Sequence, residues 1–155
     1  MAAVVDPERL IFVDECETHT FLGPIYGYAP RGERLLLSVP RKRGKNTTLL
    51  SSITLSGMGP SLVVEGATTA RVFVEAYVEK VLVPSLRADQ IVVVDNLGAH
   101  RPKRIRGPIE QQGCELVYLP ANSPDYNPIE EAFAKIKNLL RKEPRPGARR
   151  FWWKR

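Results

Sequence analysis

"IVVVDNLGAH", residues 91–100, runs through four branched apolar residues and then stops at Asp95 and Asn96. A short, unbroken Val/Ile run is what a strand covered on both faces requires, because neither side of it meets water. Asp95 therefore stands where a buried strand leaves the core. In open α/β sheets, catalytic and ligand-binding groups gather at the carboxyl ends of strands. The stretch implies a sheet sheltered by helices and makes Asp95 the first residue to account for.

The neighbouring segments extend this pattern. "RLIFVDECE" (9–17) reads as a strand carrying Asp14 near its end. "GYAPRGERLLLSVP" (27–40) predicts a Pro-Arg-Gly turn followed by a strand, and "NTTLLSSITLSG" (46–57) a third strand, giving an antiparallel meander. "SLVVEGATT" adds a short strand. In residues 69–86 apolar side chains at 72, 74, 78, 81 and 82 predict a helix. Beyond Asp95 come a basic helical stretch (102–112), a strand "CELVYLP" (114–120) and a last helix from Pro128 to Lys142. The class is α/β, a mixed sheet with a meander, parallel strands and helices on both faces.

Composition narrows the functions. The 155 residues suffice for one domain with a single core. No run approaches roughly 18 apolar residues, so no membrane partner is expected, and the N-terminus lacks the apolar segment of a signal peptide. Cys16 and Cys114 match no metal or redox spacing, which fits free thiols in a reducing cytoplasm. Through residue 137, 16 Lys/Arg balance 16 Asp/Glu; residues 138–155 hold seven basic groups and one acidic, so the whole net charge of +6 lies there. Local basic clusters remain at 41–45 (with Lys42, Arg43 and Lys45) and 101–106 (Arg101, Lys103, Arg104, Arg106). Either can meet phosphates or be a solvated loop.

The segment "YLPANSPDYNPIEEAFAKIKNLL" (118–140) is the richest in signals. Three prolines break regular structure. Asn127 then fits a helix N-cap, Pro128 the first helical position and Glu130 the third, so Glu130 has an ordinary reading as half of a capping box. Glu130 and Glu131 both flank the apolar face, and helical geometry does not choose between them; Glu131 is also placed to pair with Lys135.

"FVDE", "VVDNLGAH" and "LPANSPDYNPIEEAFAKIK" together resemble the catalytic core of mariner-type bacterial insertion-sequence transposases, the DDE superfamily endonucleases. The similarity spans residues 9–142, and "GYAPRGE" (27–33) also looks like the family's stretch after its first motif. Asp95 and Glu130 are separated by 34 residues, a spacing that recurs in the family. The resemblance implies a ribonuclease H-like fold and a triad of Asp14, Asp95 and Glu130 as catalytic and metal-binding residues. It implies two Mg²⁺ ions, or Mn²⁺ in their place, and cleavage and strand transfer of double-stranded DNA at element ends and target. Asn96, His100 and the basic residues of both clusters then become DNA contacts, and synapsis of two ends implies a homodimer in the bacterial cytoplasm.

The chemistry coheres with that likeness. Crowded carboxylates repel one another unless cations neutralise them, and hard oxygen ligands suit Mg²⁺ or Mn²⁺. Residues 1–142 are expected to form the catalytic domain, without the helix-turn-helix region that family members carry before it. That region is expected from a separately encoded portion, unless the chain is a truncated copy. Residues 143–155, "EPRPGARRFWWKR", lose the amphipathic period and read as an irregular basic tail, consistent with a shifted frame. The rival readings are an inactive remnant that binds DNA weakly, another ribonuclease H-like nuclease, and a phospho-acceptor domain. The last is disfavoured because 80 residues between Asp14 and Asp95 are too many for that small fold.

Overall fold

Leu10–Thr18 forms β1, in which Ile11 and Val13 turn to one face of the sheet while Phe12, Asp14 and Cys16 turn to the other. The computed structural model of the chain describes residues 5–18, 26–36, 46–95, 102–121 and 123–142. Thr47–Thr54 is β2, antiparallel to β1 with Asp14 opposite Ser51. Gly57–Met58 (β3) and Leu62–Glu65 (β4) both pair antiparallel with β2, along different parts of it. Ile91–Val94 (β5) lies parallel to β1, and Glu115–Tyr118 (β6) parallel to β5. The order is β3-β2-β1-β5-β6, with β4 also on β2. This is the mixed sheet that the sequence predicts, and all four residues of β5 are buried, as its unbroken apolar run requires.

The meander differs from expectation in one respect. Residues 26–36 contain the Pro-Arg-Gly turn, closed by the Glu33 N–H donating to the Pro30 carbonyl at 3.0 Å, but no strand. β2 itself occupies the antiparallel edge of β1. The rest of the expected strand, 37–40, lies outside the described residues.

Helices cover both faces. On the Ile11/Val13 face, Val72–Leu82 and the helix α1 (Pro102–Glu110) pack Phe73, Val74, Tyr77, Val78, Leu82, Ile105 and Ile109 against Leu50, Val92, Val94 and Leu116. Val72–Leu82 is a π-helix rather than the expected α-helix. Phe73 and Leu82, nine residues apart, are both essentially buried. In an α-helix of about 3.6 residues per turn they would point to opposite sides. The wider winding of i→i+5 hydrogen bonds, about 4.4 residues per turn, returns them to one line. On the Asp14 face, α2 (Ile129–Lys142) packs Ile129 and Phe133 on Cys16, with Leu49, Ile53 and Ile136 at the margin.

The return from α1 to β6 depends on Gly113, whose φ of +73° lies in the left-handed region and whose N–H donates to the Glu110 carbonyl at 2.9 Å. An added Cβ would also touch the Ala88 Cβ at 3.4 Å. Gly113→Ala is expected to lower stability by about 1–2 kcal/mol, seen as a lower urea midpoint with an unchanged m-value.

Candidate active site

Parallel pairing of β1 with β5 puts Val13 opposite Val94. One residue further, each chain delivers an acid: Asp14 from β1 and Asp95 from the end of β5. Neighbouring strands lie about 4.8 Å apart, so the two acidic residues leave the sheet from adjacent strands at its carboxyl edge. The α2 helix lies on the face to which Asp14 points, and its first turn carries Glu130.

Asp14 is the buried member of the group, 4% exposed. Its Oδ1 accepts the Glu15 N–H at 2.7 Å, and its Oδ2 accepts the Asn127 Nδ2–H at 2.8 Å. Burial, first of all, pushes its pKa from 3.8 up to about 6; the Glu15 N–H opposes the rise, and the charges of Glu130, Asp95 and Glu15 add to it. Asp14 therefore registers both other members of the expected triad. Glu131, the alternative to Glu130, contributes no such charge to it. Glu131 also forms no ion pair with Lys135 among the described residues. The carboxylates do not, however, converge into a ready-made ligand cluster: among the described residues no three His, Cys, Asp or Glu side chains stand close enough together to hold a metal ion.

The donor set nonetheless fits a hard divalent cation. All of its atoms are oxygens, they carry like charge, and a buried carbonyl oxygen beside them, Asn127 Oδ1, has no hydrogen-bond partner. Cys16, two residues beyond Asp14, is buried in the α2 cluster. Burial raises the pKa of its thiol, while the adjacent Lys137 ammonium pulls it down.

Asn127 is the residue that the sequence misassigns. Its backbone carbonyl accepts the Glu130 N–H at 3.1 Å, as a first-turn residue should, but its side chain caps nothing and turns to Asp14. An N-cap and a carboxylate clamp call for the same short amide, so residue type gives no signal to separate them.

Among the basic residues, Arg104 and Arg106 are described, and both engage carboxylates. Arg104 lies 3.7 Å from Glu75, which also pairs with Arg71 at 2.8 Å, and Arg106 pairs with Glu110 at 2.8 Å. Lys103 belongs to α1, but its side chain is outside the described set. Lys42, Arg43, Lys45, Asn96, His100 and Arg101, and the tail from residue 143, lie outside the described residues.

Comparison with known proteins places this geometry in context. Residues 9–150 match the sequence family described as DDE superfamily endonuclease. No curated protein matches the chain in sequence. The fold is similar to that of a pre-cleavage Mos1 transpososome, with a TM-score of 0.70 and 20% identity over 90% of this chain and 44% of that one. A mariner Mos1 paired-end complex with Mg gives a TM-score of 0.67 and 22% identity over 90% and 44% of the two chains. The catalytic domain of Mos1 mariner transposase gives 0.54 and 20% identity over 91% and 64%. The chain thus spans less than half of the longer Mos1 chains. The shared fold is the ribonuclease H-like one of transposase catalytic domains.

Proposed function

Because the chain belongs to the DDE superfamily of endonucleases, we propose that it is the catalytic core of a transposase that cuts DNA strands and joins them to target DNA. The observation that carries this reading is the shared rung: Asp14 and Asp95 follow paired residues of adjacent parallel strands, and Glu130 approaches from the helix packed on the same face. Asp14, Asp95 and Glu130 would together hold two divalent ions, Mg²⁺ or Mn²⁺. Mos1 paired-end complexes of this fold have been solved with Mg and with Mn. When bound, such an ion pair activates the attacking oxygen and stabilises the leaving oxygen of an in-line phosphoryl transfer.

The chain's own groups then have separate tasks. Asp14, held by two hydrogen bonds, keeps a fixed carboxylate orientation. Glu130 stands exposed in the first turn of α2, on the face to which Asp14 points. Arg104 and Arg106 lie in solvent-exposed ion pairs that water and salt screen, so DNA phosphates can exchange for Glu75 and Glu110. Asn96, His100, Arg101, Lys103, Lys42, Arg43 and Lys45 extend the proposed DNA contact. Residues 1–142 form the catalytic unit of this reading, working as a homodimer on paired ends in the bacterial cytoplasm. No described helix is long and apolar enough to cross a membrane.

An inactive remnant is the competing reading, favoured by the lack of a converged three-ligand group among the described residues. Cleavage of a labelled duplex with Mg²⁺ or Mn²⁺ separates the two. Wild type is expected to nick the DNA only with a divalent ion, and Glu130→Gln to slow nicking roughly a hundredfold or more. Wild type without ion-dependent nicking would leave the remnant standing.

A further inference from the structure

Asn127 has one amide and two directions to point it. Its side chain belongs to a residue only 5% exposed, and its Nδ2–H donates to Asp14 Oδ2 at 2.8 Å. The assignment of nitrogen and oxygen follows from chemistry, since the flipped amide would set a carbonyl oxygen against a carboxylate oxygen. Oδ1 is thereby left buried with no partner. A buried acceptor without a donor is costly, and the usual donor for this position, the Glu130 N–H, is already taken by the Asn127 backbone carbonyl. The amide has been turned away from its capping role toward the acid.

Asp14 has been fixed from two sides. Each of its oxygens has two acceptor sites; the Glu15 N–H uses one on Oδ1 and Asn127 uses one on Oδ2. One site on each oxygen remains, and the carboxylate plane cannot rotate without breaking both bonds. A hard cation held there keeps several waters, whose O–H groups are donors of the kind that Asn127 Oδ1 lacks.

We infer that Asn127 is a positioning residue for the divalent cation, orienting Asp14 through its N–H and accepting a hydrogen bond from the ion's hydration water through Oδ1. This rests on the proposed function. It assigns the Asn of "SPDYNPIE" a part in ion binding rather than in starting the helix.

The test is Mn²⁺ binding to the full 155-residue chain without DNA, read from the EPR signal of the free ion. Thermal melts with and without Mn²⁺ accompany it. Wild type, Asp14→Asn, Asn127→Ala and Asn127→Ser are compared, the Ser variant serving if the Ala variant does not fold. Asp14→Asn is expected to abolish binding, and Asn127→Ala to weaken it about tenfold and shrink the Mn²⁺-induced rise in Tm. A residue that merely supports the helix would lower both melts equally and leave that rise intact. Wild-type Mn²⁺ affinity in folded Asn127 variants, with binding lost in Asp14→Asn, overturns this inference and leaves the carboxylate reading standing. Full affinity in Asp14→Asn, or no binding by wild type at millimolar Mn²⁺, overturns that reading and this inference together.

Discussion

Asp14→Asn should make the chain more stable and leave it unable to cut DNA. The two effects have one origin. In the absence of a cation, the folded protein keeps a carboxylate in a site that burial and the charges of Glu130 and Asp95 make hostile to it, which raises its pKa from 3.8 to about 6. A raised folded-state pKa means that the native chain binds the proton more tightly than the unfolded one. Stability therefore falls as pH rises from about 3.8 to about 6, and stays lower above that. At about 1.4 kcal/mol per pH unit, the contribution of Asp14 amounts to about 3 kcal/mol. Asparagine has the same shape and no charge; its oxygen can keep the Glu15 N–H, and its NH₂ can donate to Asn127 Oδ1 once that amide turns over. In EDTA at pH 7 the variant should be more stable than wild type by about that amount, and the gap should close as pH falls toward 4. Mg²⁺ should narrow it at pH 7 by stabilising wild type alone. Under the proposed function, metal-dependent cleavage should drop by about 10³-fold or more, since losing an ion ligand forfeits several kcal/mol of transition-state stabilisation. Equal melting of the two proteins in EDTA at pH 7 would show that Asp14 is not strained by its surroundings.

β5 was legible in the sequence because full burial leaves a direct mark, an unbroken run of Ile and Val. The acids at the ends of β1 and β5 were legible as positions, but the register that puts Val13 beside Val94 joins segments 81 residues apart and leaves no local trace. The choice between Glu130 and Glu131 could not come from helical spacing, because both flank the apolar stripe. The preference for Glu130 came from the family resemblance, and the docking of Ile129 and Phe133 on Cys16 is what sets the Glu130 charge near the acid on β1. The π-helix escaped notice for a related reason. Period alone identifies a helix in residues 69–86, whereas the winding is revealed only when Phe73 and Leu82 are both found inside.

Phe133→Ala is expected to have an effect as large as the loss of an acid, although Phe133 touches none of them in the bonds described. The two faces of the sheet are unequally held. The Ile11/Val13 face buries a large cluster under two helices, while among the described residues the contact of α2 with the Asp14 face centres on a small one, Cys16, Ile129 and Phe133. Truncating a buried Phe removes about 3–5 kcal/mol. Here most of that loss falls on the contact between α2 and β1, so the weakened element is α2 and the turn before it. Hydrogen exchange should quicken along Ile129–Lys142 while the amides of β5 and β6 stay protected. Under the proposed function cleavage should fall with it, since α2 carries Glu130 on the face to which Asp14 points and the preceding turn brings Asn127 to Asp14. A variant that exchanges uniformly faster across the whole chain would mean that the two faces fold as one unit. A variant that cuts DNA at the wild-type rate while α2 exchanges freely would mean that Glu130 does not need its helix.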